Sequence, residues 1–275
     1  MKKKLWLILP VLVILVIPLA FLLNKNLRKT EGSESFFPAA QPTPFPTKPI
    51  EQTIDQRPFV SLIPTADGHW LNLEIKNIVK QVTALEYDLI YLAEAEESKI
   101  ERGVSTGGIP IDLKGASEYA KKILFGSASC TTGVCKYKYD ENVTEGSLNL
   151  KLIGWSETYE TVYRIQKGIE AKEGLTAGDG RFTFVSSKLP AKSLYLTTLT
   201  LGVPKPLPAE VTPKSEPYGI FPTISVAGQV SFSTTLNQAT IYAFNGRTWQ
   251  KLPTTLTDGQ ATAQASGAYL FILTQ

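Results

Sequence analysis

Leu85-Glu86-Tyr87-Asp88-Leu89-Ile90-Tyr91-Leu92 decides the fold class of this chain. Leu85, Tyr87, Leu89 and Tyr91 fall on one side of an extended backbone, and alternation of this kind marks a half-buried strand. Upstream, His69-Trp70-Leu71-Asn72-Leu73-Glu74-Ile75 repeats the pattern, with Leu71, Leu73 and Ile75 sharing a face. Phe59–Ile63 precedes it across the turn residues Thr65-Ala66-Asp67-Gly68.

Further strand signals run through the chain. Arg102–Ser105, Ile109–Leu113, Lys122–Phe125, Gly146–Ile153 and Tyr159–Gln166 form a first set. Arg181–Ser186, Ser193–Leu201, Gly219–Val226, Gln229–Ser233, Ala239–Phe244, Thr248–Leu252, Ala261–Ala265 and Ala268–Leu273 form a second. Asn245-Gly246 between two of these runs is a strong hairpin signal. A spacing of roughly 8–14 residues, punctuated by Gly, Asn and Asp, is that of an all-β sandwich. Ala93–Lys99 is helix-prone, and Gly115–Lys122 has room for one or two helical turns. Neither changes the class: mainly β.

The ends and joints divide the chain. Leu5–Leu23 is an uncharged apolar run of 19 residues, and at 1.5 Å per residue it spans about 28 Å, the depth of a hydrocarbon core. It is longer than the apolar core of a typical signal peptide, and no small-residue cleavage site or lipid-accepting cysteine follows it. An uncleaved transmembrane signal anchor is therefore expected over residues 1–29. Residues 30–57 carry Pro38, Pro42, Pro44, Pro46 and Pro49 among polar residues, the composition of an extended, semi-rigid linker. Two β-sandwich domains are expected beyond it, at 58–171 and 172–275. Their boundary lies near 168–180, or alternatively at the Pro204–Pro208 stretch and the residues after it, 204–217.

Lys2, Lys3 and Lys4 before the apolar run nearly balance Lys25, Arg28 and Lys29 after it, so flanking charge does not orient it. The cysteines do. Cys130 and Cys135 are the only two. Four intervening residues including Gly133 form a tight loop that can bring their Cα atoms within the roughly 4.4–6.8 Å of a disulfide. A bridge in an oxidising compartment is the leading reading, with free thiols or a redox or metal pair as the alternatives. The N-terminus is then cytoplasmic and the body extracytoplasmic.

Composition limits the chemistry. The hydrophobic fraction of 43% suffices for a core, and 12 Phe, 11 Tyr and 4 Trp favour strands. A net charge of +3 is too small to imply nucleic acid, and no basic stripe with interleaved aromatics stands out. His69 is the sole histidine, which disfavours general acid–base catalysis and zinc. Gly103-Val104-Ser105-Thr106-Gly107 matches a nucleophile elbow in letters, yet Pro110 follows and no histidine comes later. Acidic turns at Asp140-Glu141-Asn142 and Gly178-Asp179-Gly180 are too sparse for a calcium loop. Asn142-Val143-Thr144 is a glycosylation sequon. No catalytic residue, cofactor or metal is expected.

Trp155, Trp70 and Trp249 are the candidate ligand-contact aromatics, Trp155 being the one most expected at the surface. The arrangement resembles bacterial cell-surface proteins that mount immunoglobulin- or fibronectin-like sandwiches on a signal anchor. The anchor, the spacer, the two β units and the missing catalytic set point to a non-enzymatic, surface-displayed binding or structural module, with a protein or glycan as its ligand. An accessory subunit of an envelope assembly (secretion, pilus or wall) is the alternative, and a carbohydrate-active enzyme a more distant one.

Overall fold

The computed structural model describes residues 52–95, 98–155 and 158–275. The expected anchor at Leu5–Leu23 and most of the linker lie outside them, and among the described residues no helix is long and apolar enough to cross a membrane. The described part is mainly β. Its twenty strands, numbered along the chain, form antiparallel sheets, and one short 3-10 turn occurs at Ile54–Gln56.

The largest sheet has ten strands. Along its path they are β17 (Trp249–Leu252), β16 (Thr240–Phe244), β20 (Leu270–Thr274), β14 (Tyr218–Phe221), β13 (Leu194–Leu199), β10 (Thr158–Lys167), β9 (Glu141–Ile153), β3 (Ala84–Ala95) and β4 (Ser98–Ser105). The short β5 (Ile111–Asp112) pairs with β3 off this path. A three-stranded sheet holds β1 (Phe59–Pro64), β2 (Trp70–Lys76) and β6 (Tyr119–Leu124). A five-stranded one holds β11 (Leu175–Thr176), β12 (Phe182–Val185), β15 (Ala227–Ser233), β19 (Gln260–Ser266) and β18 (Thr254–Thr257). Finally β7 (Gly126–Thr131) and β8 (Val134–Tyr139) pair only with each other.

Two apolar cores lie on opposite faces of the ten-stranded sheet. In the register of β3 with β9, Leu85, Tyr87 and Leu89 stand opposite Leu152, Leu150 and Leu148. All six are buried in one cluster with Leu62, Leu71, Leu73, Ile75 and Ile123 of the three-stranded sheet. The second cluster gathers Phe182, Phe184, Val230 and Phe232 of the five-stranded sheet with Tyr218, Ile220 and Phe271. Along β20 the assignment alternates: Leu270 and Ile272 join the first core, Phe271 and Leu273 the second. Adjacent strand residues point to opposite faces, so this part of the sheet is buried on both sides. The unbroken apolar run of β20 has the same cause.

The segment 168–180 is thus not a break in the sheet. β10 before it pairs with β13 after it, Ile165 opposite Leu196. The two cores share the middle sheet, where the sequence suggested two separate sandwiches in tandem. Nor is the Pro204 stretch a joint. Val203 and Leu207 are buried in the first core, and the Leu207 N–H donates to Asp55 Oδ1 at 3.0 Å. The end of the expected linker also belongs to the body: Ile54 is buried, and Arg57 holds both carboxylate oxygens of Glu216 at 3.0 Å.

Local helix propensity is overridden twice. Glu94 pairs with Lys99 and Ala95 with Ser98, so the helix-prone stretch lies on the β3–β4 pair. The segment after Gly115 becomes β6, aligned with β2 from Tyr119 to Leu124. In both places ladder pairing to a neighbouring strand outweighs a preference that is weak per residue.

Candidate functional site

The residues between the cysteines form no irregular loop. Cys130 and Cys135 face each other across the β7–β8 hairpin, bridged, with Cα atoms 4.0 Å apart. Thr132 and Gly133 make the turn, with φ of 49° and 84°. Two successive positive φ values suit a tight hairpin turn whose twist matches that of the strands. None of residues 126–139 belongs to either buried core.

The root of the hairpin is fixed by buried polar groups. The Gly126 N–H donates to the Tyr91 hydroxyl at 3.0 Å, and that hydroxyl donates to Asp140 Oδ2 at 2.8 Å. Arg102 Nε meets the same oxygen at 3.0 Å. Tyr91 is 1% exposed; burial, with Asp140 beside it, pushes its phenol above the ordinary tyrosine range. Gly126 itself has φ of 139°, and a Cβ there would lie 2.1 Å from the Lys138 carbonyl oxygen. Only glycine lets the chain leave β6 and enter the hairpin at this angle.

Register sorts the side chains onto two faces. Tyr139 stands opposite Gly126, and Tyr137 opposite Ala128. The cross-strand partners are small, so β7 itself does not cover the rings. On the opposite face, Lys138 pairs with Ser127 and Lys136 with Ser129. The aromatic face continues onto β2. The His69 ring lies on Tyr139, centroids 3.9 Å apart and planes within 7°. Tyr137 runs nearly parallel to Tyr139 at 6.0 Å and meets Trp70 edge-on at 5.5 Å. Lys122 Nζ sits 4.6 Å from the Trp70 ring centre. Tyr137 remains 45% exposed, a ring backed by Tyr139 and Trp70.

A cleft of about 400 Å³ adjoins this array, lined among others by His69, Glu94, Asp140, Thr144 and Lys167. The β1–β2 turn contributes Asp67 and Gly68 to its lining. There the Thr65 hydroxyl and the His69 N–H both donate to Asp67 and hold its carboxyl below the usual range. The sequon residue Asn142 is exposed, and its amide donates to Glu94 Oε2.

The three tryptophans are not brought together. Trp70 joins the aromatic array, half-buried. Trp249, half-buried, packs on Phe244 at 5.2 Å and donates from Nε1 to the Lys205 carbonyl at 2.9 Å. Trp155, also half-buried, lines a separate cavity of about 290 Å³ with Arg57, Tyr159 and Glu216. A wider groove of about 1110 Å³ contains Arg57, Arg181 and Tyr218, whose hydroxyl donates to Asp179 Oδ2 at 2.6 Å. Ser105 of the elbow-like motif ends β4, and its hydroxyl accepts the Gly107 N–H at 3.1 Å. It is an ordinary turn residue.

Tyr137 and Tyr139 were not singled out from the sequence. The signal for them is Lys136-Tyr137-Lys138-Tyr139, a period-two run straight after a cysteine. Alone it is only four residues long; the array is completed by Trp70 and Lys122 from other strands. Comparison of the chain with protein-family models, with curated proteins and with solved structures finds no match.

Proposed function

We propose that the chain is a membrane-tethered, non-catalytic binding module, displayed extracytoplasmically and making contact through its disulfide-bridged hairpin. Leu5–Leu23 supplies the span, with the N-terminus cytoplasmic, and the proline-rich segment a spacer. The expected pair of immunoglobulin- or fibronectin-like units enters this reading as two sheet-on-sheet cores that form a rigid mount. A bridge on an exposed hairpin accords with an oxidising compartment.

One observation carries the reading. Residues 126–139 lie outside both cores and yet are braced at the tip by Cys130–Cys135, at the root by Tyr91 and on one face by His69. Bracing that keeps side chains in solvent at fixed positions is preorganisation for a ligand, which lowers the ordering cost of binding. A segment that served packing alone would be buried by its braces.

The test is co-sedimentation of the full chain, in detergent, with cell-envelope fragments of the producing organism. The wild-type chain sediments with them, and Tyr137→Ala releases it into the supernatant. No association, or association that hairpin substitutions leave unchanged, overturns the reading.

A further inference from the structure

We infer that the hairpin takes an acidic polysaccharide, with a sugar ring stacked on Tyr137 and its carboxylate or phosphate groups met by the lysines around it. This rests on the binding-module reading and names its ligand.

Charge comes first. Tyr119–Tyr139 contains Lys121, Lys122, Lys136 and Lys138 and neither Asp nor Glu. All four lysines are exposed, and among the described residues none is paired with a carboxylate. Four unpaired ammonium groups, two on β6 and two on β8, attract a polyanion and repel a cationic partner.

Shape comes second. The exposed Tyr137 ring is backed by Tyr139 and Trp70, and its cross-strand neighbour Ala128 does not cover it. The result is an exposed aromatic ring held in place by two others. A ring-shaped ligand meets such a ring face to face. Alternation then places Lys136 and Lys138 on the far face of the same strand. β8 pairs on one side only, so a chain-like ligand lying along its free edge touches tyrosine on one side and lysine on the other. The edge also offers unpaired backbone N–H groups to sugar hydroxyls and acidic groups.

An acidic peptide and single-stranded nucleic acid share parts of this chemistry. The bridge on the hairpin weighs against nucleic acid, since disulfides belong to compartments outside the cytosol. The exposed Tyr137 ring, a surface that a sugar ring can cover, weighs against a peptide, whose added strand gains specificity from pockets for alternate side chains.

The experiment is isothermal titration of the full chain in detergent with five probes: polygalacturonate, poly(glycerol phosphate), dextran, poly-glutamate and a thymidine oligonucleotide. Polygalacturonate or poly(glycerol phosphate) binds, and the pair distinguishes carboxylate from phosphate recognition. Dextran does not bind. Affinity falls by about tenfold in Tyr137→Ala and further in Lys136→Glu/Lys138→Glu, and it weakens as salt is raised. Near-UV circular dichroism and the melting temperature verify that both variants are folded.

Dextran binding as tightly as the acidic glycans overturns the inference, as does equal or tighter binding of poly-glutamate or the oligonucleotide. Silence of both acidic glycans also overturns it. If in that case envelope fragments still sediment the chain in a Tyr137-dependent way, the binding-module reading stands and only its ligand is wrong.

Discussion

The hydroxyl of Tyr91 joins the two ends of the hairpin: it receives the N–H of Gly126 and donates to Asp140, which flanks Tyr139. Asp140 is half of a pair with Arg102, and its side chain is 8% exposed. A hydrogen bond to a charged, largely buried acceptor contributes about 1.5–3 kcal/mol. Tyr91→Phe keeps the packing against Phe125, whose ring lies 4.7 Å away, and removes only the hydroxyl. The expected loss is roughly 1–3 kcal/mol, with faster amide exchange confined to 126–140. Exchange that quickens equally in the β3 and β9 core strands would show that Tyr91 supports the core and not the hairpin.

Gly126→Ala tests the entry angle. The added Cβ meets the Lys138 carbonyl oxygen and the Tyr139 Cα, both backbone atoms that cannot step aside alone. Strain of this kind costs roughly 1–3 kcal/mol. The hairpin swings away from β2, and the His69–Tyr139 stack opens. Ring-current shifts of the His69 protons in NMR spectra report it. Unchanged shifts would mean that the chain absorbs the methyl elsewhere.

Reduction of Cys130–Cys135 acts on the same element. Closing so short a loop contributes about 2 kcal/mol in the chain-entropy picture. Because 126–139 lies outside both cores, the loss is local: amide protection falls at Ser127–Lys138, and the main unfolding midpoint moves by no more than a few degrees. A collapse of the whole transition on reduction would contradict this.

How much of this was legible in the sequence depends on the range of the interaction. The Leu85–Tyr91 alternation needs only a neighbouring core to fix its face, so it reads correctly from local pattern. Leu270-Phe271-Ile272-Leu273 carried a further signal: an unbroken apolar strand is buried on both faces, and here those faces meet different cores. The aromatic array was beyond such reading. His69 and Trp70 meet Tyr137 and Tyr139 only because Gly126 turns the hairpin back over β2, and a turn's direction leaves no periodic trace. The cysteine segment was legible as bridged but not as two strands, since Ser, Thr and Ala give little alternation across β7.

Acid exposes a weak point at the edge of the site. Asp67 has a folded pKa below its ordinary 3.8, held there by the Thr65 hydroxyl and the His69 N–H. A carboxylate with a depressed folded pKa contributes stability that is present above its unfolded pKa and lost as pH falls through the folded one. The β1–β2 turn is thus steady at neutral pH and loosens below about pH 4. In Asp67→Asn that acid-dependent step disappears. A pH titration of the Gly68 and His69 amide shifts checks both; an identical acid step in the variant would assign it to another carboxylate.

The two cores unfold together. β13, β14 and β20 contribute alternate residues to each, so neither core can be lost without exposing one face of strands that the other needs. Leu148 is fully buried in the first cluster and Phe232 nearly so in the second. Leu148→Ala costs about 2–5 kcal/mol and Phe232→Ala about 3–5 kcal/mol. In each variant a single cooperative transition moves to lower denaturant, with the same midpoint by tryptophan fluorescence and by far-UV circular dichroism. Two separate domains would behave otherwise: Phe232→Ala would leave unmoved a second transition, reported by Trp70 on β2. Such a split would mean that β10–β13 pairing, with Ile165 opposite Leu196, is too weak to couple the halves of the sheet.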